Sequence, residues 1–139
     1  MLLEGKNAVI YGGGGTIGGA VAHAFAREGA KVFLGGRTLE TLEAVAADLR
    51  AAGGEAEVAV VDALDERSID EHAGQIGHID ISFNLISLGD VQGTPLIEMD
   101  VDDFMAPVVN AVRSTFLTAR AAGRAMVRQG SGVMLRPAA

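Results

Sequence analysis

Val9-Ile10-Tyr11-Gly12-Gly13-Gly14-Gly15-Thr16-Ile17-Gly18-Gly19 is the stretch that decides the fold. Its first residues close a compact apolar run, Ala8-Val9-Ile10-Tyr11, of the kind that forms a buried strand. Its last residues open an amphipathic stretch in which Ile17, Val21, Ala24 and Phe25 share one helical stripe. A strand, a glycine turn and a helix in direct succession suit the pyrophosphate of a dinucleotide. Glycines let the backbone turn tightly and approach the phosphates, and the helix start offers free N–H donors with a partial positive charge. A flexible loop or a purely structural turn is the alternative. Such a turn needs one or two glycines, however, and four in a row cost backbone entropy that packing does not return. Gly12, Gly14, Gly15, Thr16, Ile17 and Gly18 are therefore the candidate cofactor-binding residues of the turn. Gly18 also lets the helix pack closely on the sheet.

Outward from this turn, apolar runs of strand length recur at residues 32–34, 58–61, 79–85 and 133–135. Continuous apolar runs predict strands covered on both faces, as in a parallel sheet. Helical segments lie between them. Residues 17–28 end at Gly29, and residues 39–52 follow Thr38 as N-cap and end at Gly53-Gly54. Residues 65–75 end near Gly77, and residues 100–129 begin with Asp100 and Asp103 in a capped first turn and close at Gly130. Pro107 is expected to kink this last helix or to mark its true start. The resulting order, β-α-β-α-β-α-β-α-β, predicts right-handed crossovers and an α/β, Rossmann-like doubly wound parallel sheet of about five strands in the order 3-2-1-4-5. There is no internal repeat and no linker, so residues 1–139 read as a single domain.

The second strand leads into Leu34-Gly35-Gly36-Arg37-Thr38. In this architecture the residue after that strand, near 20 positions beyond the glycines, faces the adenosine ribose. Arg37 stands 19 residues after Gly18. An acidic residue there would bind a free 2′-hydroxyl, whereas a guanidinium matches a 2′-phosphate. Arg37 thus predicts NADP in preference to NAD, against the alternative of a surface arginine at a helix start.

Composition narrows the remaining possibilities. The chain has 139 residues, 49% hydrophobic and 21% charged, which suits one globular domain with a real core. Its formal net charge of −7 makes nucleic acid and anionic membrane unfavourable partners. Arg113, Arg120, Arg124 and Arg128 share one side of a helix and read as a solvated face. Having no cysteine, the chain has no disulfide and no thiolate site, and its three histidines lack ligand spacing. No signal-peptide pattern opens the sequence and no apolar run is long enough to span a bilayer, so the expectation is a soluble cytoplasmic protein.

At this point the sequence resembles the short-chain dehydrogenase/reductase family over its whole length. Gly12 and Gly18 match the first and last glycines of the family's TGxxxGxG motif; Tyr11 replaces its Thr, Thr16 replaces its middle Gly, and Gly15 instead gives a GxxGxxG spacing. Asp62 matches the Asp that contacts the adenine ring after the third strand, and Asn84 matches the NNAG-type motif after the fourth. Residues 116–122 resemble the family's long fourth helix, whose catalytic Asn aligns with Ala111, one position after Asn110. A one-residue shift turns a helical side chain by about 100°. The resemblance implies an NAD(P)-dependent oxidoreductase acting on a carbonyl or alcohol, with Arg37, Asp62 and Asn84 holding the cofactor beside the glycine turn.

The same resemblance places the chemistry on a Ser after the fifth strand and on a Tyr-x-x-x-Lys pair in the following helix. The only tyrosine is Tyr11, the only lysines are Lys6 and Lys31, and Ser131 precedes the fifth strand. The chain is expected to be the nucleotide-binding portion of such an enzyme, C-terminally incomplete and without catalytic residues. The fifth strand would then be an exposed edge, and a homo-oligomer or a partner chain is expected to cover it. The competing readings are a non-catalytic nucleotide-binding module completed by another chain and a prematurely terminated product.

Overall fold

A computed structural model of the chain describes residues 1–138. The chain forms β1 (Asn7–Tyr11), α1 (Thr16–Arg27), β2 (Lys31–Gly36), α2 (Leu39–Ala51), β3 (Glu55–Val60), α3 (Glu66–Ile76), β4 (Ile81–Asn84), a 3₁₀ turn (Leu96–Glu98), α4 (Val101–Gln129) and β5 (Val133–Leu135). The sheet has the order β3-β2-β1-β4-β5, and every pairing is parallel. This is the expected doubly wound architecture.

The period-two alternation of strand side chains splits the core into two layers. In β1, Val9 and Tyr11 face α3 and α4, whereas Ile10 faces α1 and α2. In β2, Val32 and Leu34 join Ile10, and Phe33 joins Val9. The helices come close because their inner faces are small. Gly18, Gly19 and Ala22 are buried in α1, and Ala121, Ala122 and Ala125 in α4. No helix of the described residues is long and apolar enough to cross a membrane.

Several local expectations change. The third strand starts at Glu55 rather than Val58, because β3 is an edge strand that exposes Glu55 and Glu57 and so lacks a continuous apolar signal. Thr38 is the N-cap of α2, but its side chain caps nothing; the Thr41 hydroxyl donates instead to the Thr38 carbonyl at 3.0 Å. Helix α4 begins at Val101, ahead of Pro107, with the Asp100 carboxylate accepting from the Asp102 amide. The proline therefore sits inside the helix and removes one internal hydrogen bond.

The arginine face of α4 is not merely solvated. Arg120 pairs with Glu66 at 2.5 Å, Arg124 with Asp70 at 3.6 Å, and Arg113 donates to the Leu64 carbonyl at 2.6 Å. The i,i+4 spacing of Arg120 and Arg124 matches that of Glu66 and Asp70 on the neighbouring helix, so the contacts clip α4 to α3. As predicted, β5 forms an open edge: Val133, Met134 and Leu135 are all exposed.

Candidate functional site

The carboxyl ends of β1 and β4 diverge at the point where the strand order reverses, which is where open parallel sheets present a crevice. Tyr11 pairs with Asn84 across these ends, and the Leu85 amide donates to the Tyr11 carbonyl at 2.8 Å. A cleft of about 630 Å³ opens above them. This lies within the range of small-molecule sites.

The glycine turn forms one wall. Gly12 has φ +80°, and a Cβ there would run into the Leu85 carbonyl. The Gly12 and Gly13 amides donate to the Gly35 carbonyl, at 2.9 and 3.2 Å, which pins the turn to β2. The Gly15 amide donates to the Gly12 carbonyl at 3.1 Å. The amides of Gly14, Thr16, Ile17 and Gly18, in contrast, have no acceptor among the described residues. The N-cap of α1 is Gly15, without a side chain to occupy those donors, and the first turn contains no acidic residue. Unmet donors at an uncapped positive helix end make a cradle for an anionic group, and a pyrophosphate fits it.

Of the nine candidate residues, Gly12, Gly14, Gly15, Thr16, Ile17, Gly18, Arg37 and Asp62 all line this cleft. Arg37 is exposed just past β2 and has no ion-pair partner among the described residues. One Asp62 oxygen accepts from the Leu64 amide at 3.0 Å, while the Asp62 amide donates to the Ser68 hydroxyl at 3.0 Å. These two bonds fix the turn after β3 and hold the carboxylate at the rim of the cleft.

Asn84 lies behind the lining. Its side-chain amide donates to the Ser114 hydroxyl at 3.0 Å, and its oxygen accepts from the Ile86 amide at 3.3 Å. It joins β4 to the buried face of α4 and shapes the loop that follows. Asn110, one position before the aligned Ala111 and left out of the candidates, lines the cleft and donates to the Leu88 carbonyl at 2.9 Å. Sequence reasoning also missed Thr41, Ile86, Ser87 and Gly89 in the lining. A polar residue inside a helix, opposite a loop of unassigned backbone groups, was the available signal for Asn110.

Beneath the cleft, burial pushes the Tyr11 phenol well above its ordinary value, and the Asp70 carboxylate adds to the shift. Its ring meets His72 edge-on, with centroids 6.0 Å apart. Burial lowers the His72 pKa, with Glu57 opposing, so the imidazole is held neutral. Lys6 and Lys31 stand at the opposite, amino ends of the strands, against Asp80 and Glu57.

The model of the short chain dehydrogenase family matches residues 6–136. An uncharacterized oxidoreductase of Bacillus subtilis (strain 168) is 36% identical over 136 residues, covering 95% of this chain and 50% of that protein. A metagenomic short-chain oxidoreductase solved in complex with NADP superposes with a TM-score of 0.87 at 31% identity, over 98% of this chain and 63% of that one. An NAD⁺-bound xylitol dehydrogenase gives a TM-score of 0.90 at 29% identity, over 98% of this chain and 54% of that one. The chain thus spans about half the length of the curated relatives it matches. A doubly wound sheet, an uncapped glycine turn at its switch point and a family match over nearly every residue lead to one conclusion: the chain belongs to the short-chain dehydrogenase family.

Proposed function

We propose that the cleft over residues 12–18 binds a nicotinamide dinucleotide, with NADP preferred to NAD, as the nucleotide-binding portion of an oxidoreductase acting on a carbonyl or alcohol. The observation that carries this reading is the pairing, in one cleft, of amides at the start of α1 that are unmet with an Arg37 that is unpaired among the described residues. The amides of Gly14, Thr16, Ile17 and Gly18 take the pyrophosphate oxygens. Arg37 takes the 2′-phosphate, for which a planar guanidinium with no competing carboxylate is the matching donor. Asp62, which lines the cleft, takes the adenine ring in this reading, and Asn84 holds the wall through Ser114 and Ile86. The bound nicotinamide supplies a hydride donor or acceptor, and this chain's residues bind and orient it. Solved relatives bound to NADP and to NAD⁺ support a dinucleotide site of this kind.

A second reading, a nucleotide-binding module completed by another chain, draws on the open β5 edge. Both readings share the cofactor site and differ in who supplies the proton donor. Calorimetric titration of the 139-residue chain with NADPH and with NADH tests the shared site. NADPH is expected to bind more tightly by about tenfold or more, the equivalent of one charge-assisted contact. Equal affinities overturn the preference, and absence of binding by both overturns the site.

A further inference from the structure

The glycine turn and Arg37 reach the cleft from different elements, and one side chain lies between them. The turn leads into α1, whereas Arg37 stands on the link from β2 to α2. Thr41 belongs to the first turn of α2 and lines the same cleft. Helical side chains lean toward the N-terminus of their helix, which in α2 is the Arg37–Thr38 end. The Thr41 hydroxyl follows that direction and donates to the Thr38 carbonyl at 3.0 Å. Its oxygen also fills the space that a Cβ on Gly14 would need; that Cβ would lie 3.0 Å from the Thr41 Cβ and 3.3 Å from the Leu42 nitrogen. One turn further along α2, Val45 lies 3.6 Å from where a Cβ on Gly19 would sit. Thr41 and Val45, four residues apart, thus form the seam of α2 against the turn and α1. Leu42 is buried and fixes the same turn of α2 against Gly36, beside Arg37.

We infer that Thr41 is a positioning residue: it fixes the spacing between the amide cradle at Gly14 and the guanidinium of Arg37, and through that spacing sets the discrimination between NADPH and NADH. The inference rests on the cofactor reading proposed above. NADH presents its pyrophosphate without a 2′-phosphate, whereas NADPH presents both on one molecule. The second contact of NADPH is then intramolecular, and its strength depends on the two subsites being held at a matching separation. A site about 1 Å too loose forfeits that gain. One oxygen does the holding, since the Thr41 hydroxyl both occupies the space over Gly14 and bonds to the residue next to Arg37. The Thr38 side chain caps nothing and cannot take over the task. The hydroxyl is therefore the feature that matters at position 41, and the methyl group is not.

Calorimetric titration of the native chain, Thr41→Ser and Thr41→Ala with NADPH and with NADH tests this. Thr41→Ser keeps the hydroxyl and is expected to hold the ratio of the two affinities within about twofold of the native value. Thr41→Ala is expected to lower that ratio from about tenfold or more to about twofold. Its melting temperature is expected to stay within about 2 °C, because Thr41 is exposed and alanine favours a helix. A size exchange supplies a second test. Gly14→Ala forces a methyl against Thr41, and adding Thr41→Ala vacates most of the space that methyl needs. The double variant is expected to bind NADPH more tightly than Gly14→Ala alone, as residues in direct contact do not act additively. A native preference for NADPH that survives unchanged in Thr41→Ala overturns the inference and leaves the cofactor reading standing. Loss in Thr41→Ser equal to that in Thr41→Ala overturns it too, as does a double variant weaker than Gly14→Ala. Equal native affinities for NADPH and NADH overturn the cofactor preference itself, and the inference with it.

Discussion

The carbonyl of Gly12 fills the space that a Cβ on Gly18 would need, so a side chain there would overlap backbone that cannot yield without opening the turn. Gly15 differs: its φ is −81°, and a Cβ there would sit 3.4 Å from the same carbonyl. Gly18→Ala is therefore expected to cost roughly 1–3 kcal/mol of stability, an overpacking penalty. Gly15→Ala is expected to change stability by less than ~0.5 kcal/mol, as an unstrained surface substitution does. Because Gly15 lines the cleft beside the unmet amides, its methyl is nonetheless expected to weaken NADPH binding. Thermal denaturation and calorimetry separate the two effects, and a Gly15→Ala chain with full affinity would place the pyrophosphate elsewhere.

The proposed preference for NADP rests on Arg37. It stands exposed after Gly36, without a carboxylate partner among the described residues, and lines the cleft. Arg37→Asp is expected to weaken NADPH binding by roughly 1–3 kcal/mol, the value of a charge-assisted hydrogen bond, and to leave NADH equal or favoured. Relative affinities unchanged by this substitution would detach Arg37 from the 2′-phosphate.

The sheet order and the glycine turn were legible in the sequence because both rest on local pattern: strand-length apolar runs, helical stripes and glycine where the backbone must turn. Eight of the nine candidate residues reach the cleft for the same reason, since strand ends and the turns after them fix their direction. Asn84 was misplaced in emphasis. It sits at the last position of β4, where pleat and loop together choose its direction, and Ser114, thirty residues on, is the partner that turns it inward. The clip between α3 and α4 was invisible for a related reason. Arg120 and Arg124 read as solvated until the fold brings Glu66 and Asp70 alongside them. Asn110 shows how helix phase decides a site: one residue separates it from the aligned position, yet Asn110 lines the cleft.

His72 predicts a pH dependence of stability. Its ring is buried against Tyr11, and its Nδ1 has no hydrogen-bond partner among the described residues. Burial lowers its pKa in the fold, with the Glu57 carboxylate pulling the other way, while the unfolded chain retains an ordinary value near ~6.5. The unfolded state therefore binds the proton first. The stability contributed by neutral His72 is complete above about pH 6.5 and is lost as pH falls from there toward the lower folded value. Denaturation midpoints measured from pH 7.5 to 5 are expected to fall more steeply for the native chain than for His72→Leu. Parallel pH profiles would show that the imidazole is not buried in its neutral form.

The 139-residue chain is expected to bind its cofactor without turning over a substrate. Family chemistry, as the resemblance implies it, uses a tyrosine whose proton transfer is assisted by a lysine four residues on. The chain has a single tyrosine, and Tyr11 is buried, with its phenol held far above its ordinary value by burial and by Asp70. Neither lysine lies near it. Lys31 begins β2 and pairs with Glu57, and Lys6 precedes β1 near Asp80, both at the end of the sheet opposite the cleft. A positioned proton donor typically supplies ~10²–10⁴-fold in rate, so water in its place leaves hydride transfer slow even when the nicotinamide is held correctly. The purified chain is accordingly expected to show no NADPH oxidation above background across a panel of ketones and aldehydes, under conditions where calorimetry shows the cofactor bound. Robust turnover that disappears in Gly12→Val, where a side chain meets the Leu85 carbonyl at a positive φ, would mean that residues of this chain supply the proton after all.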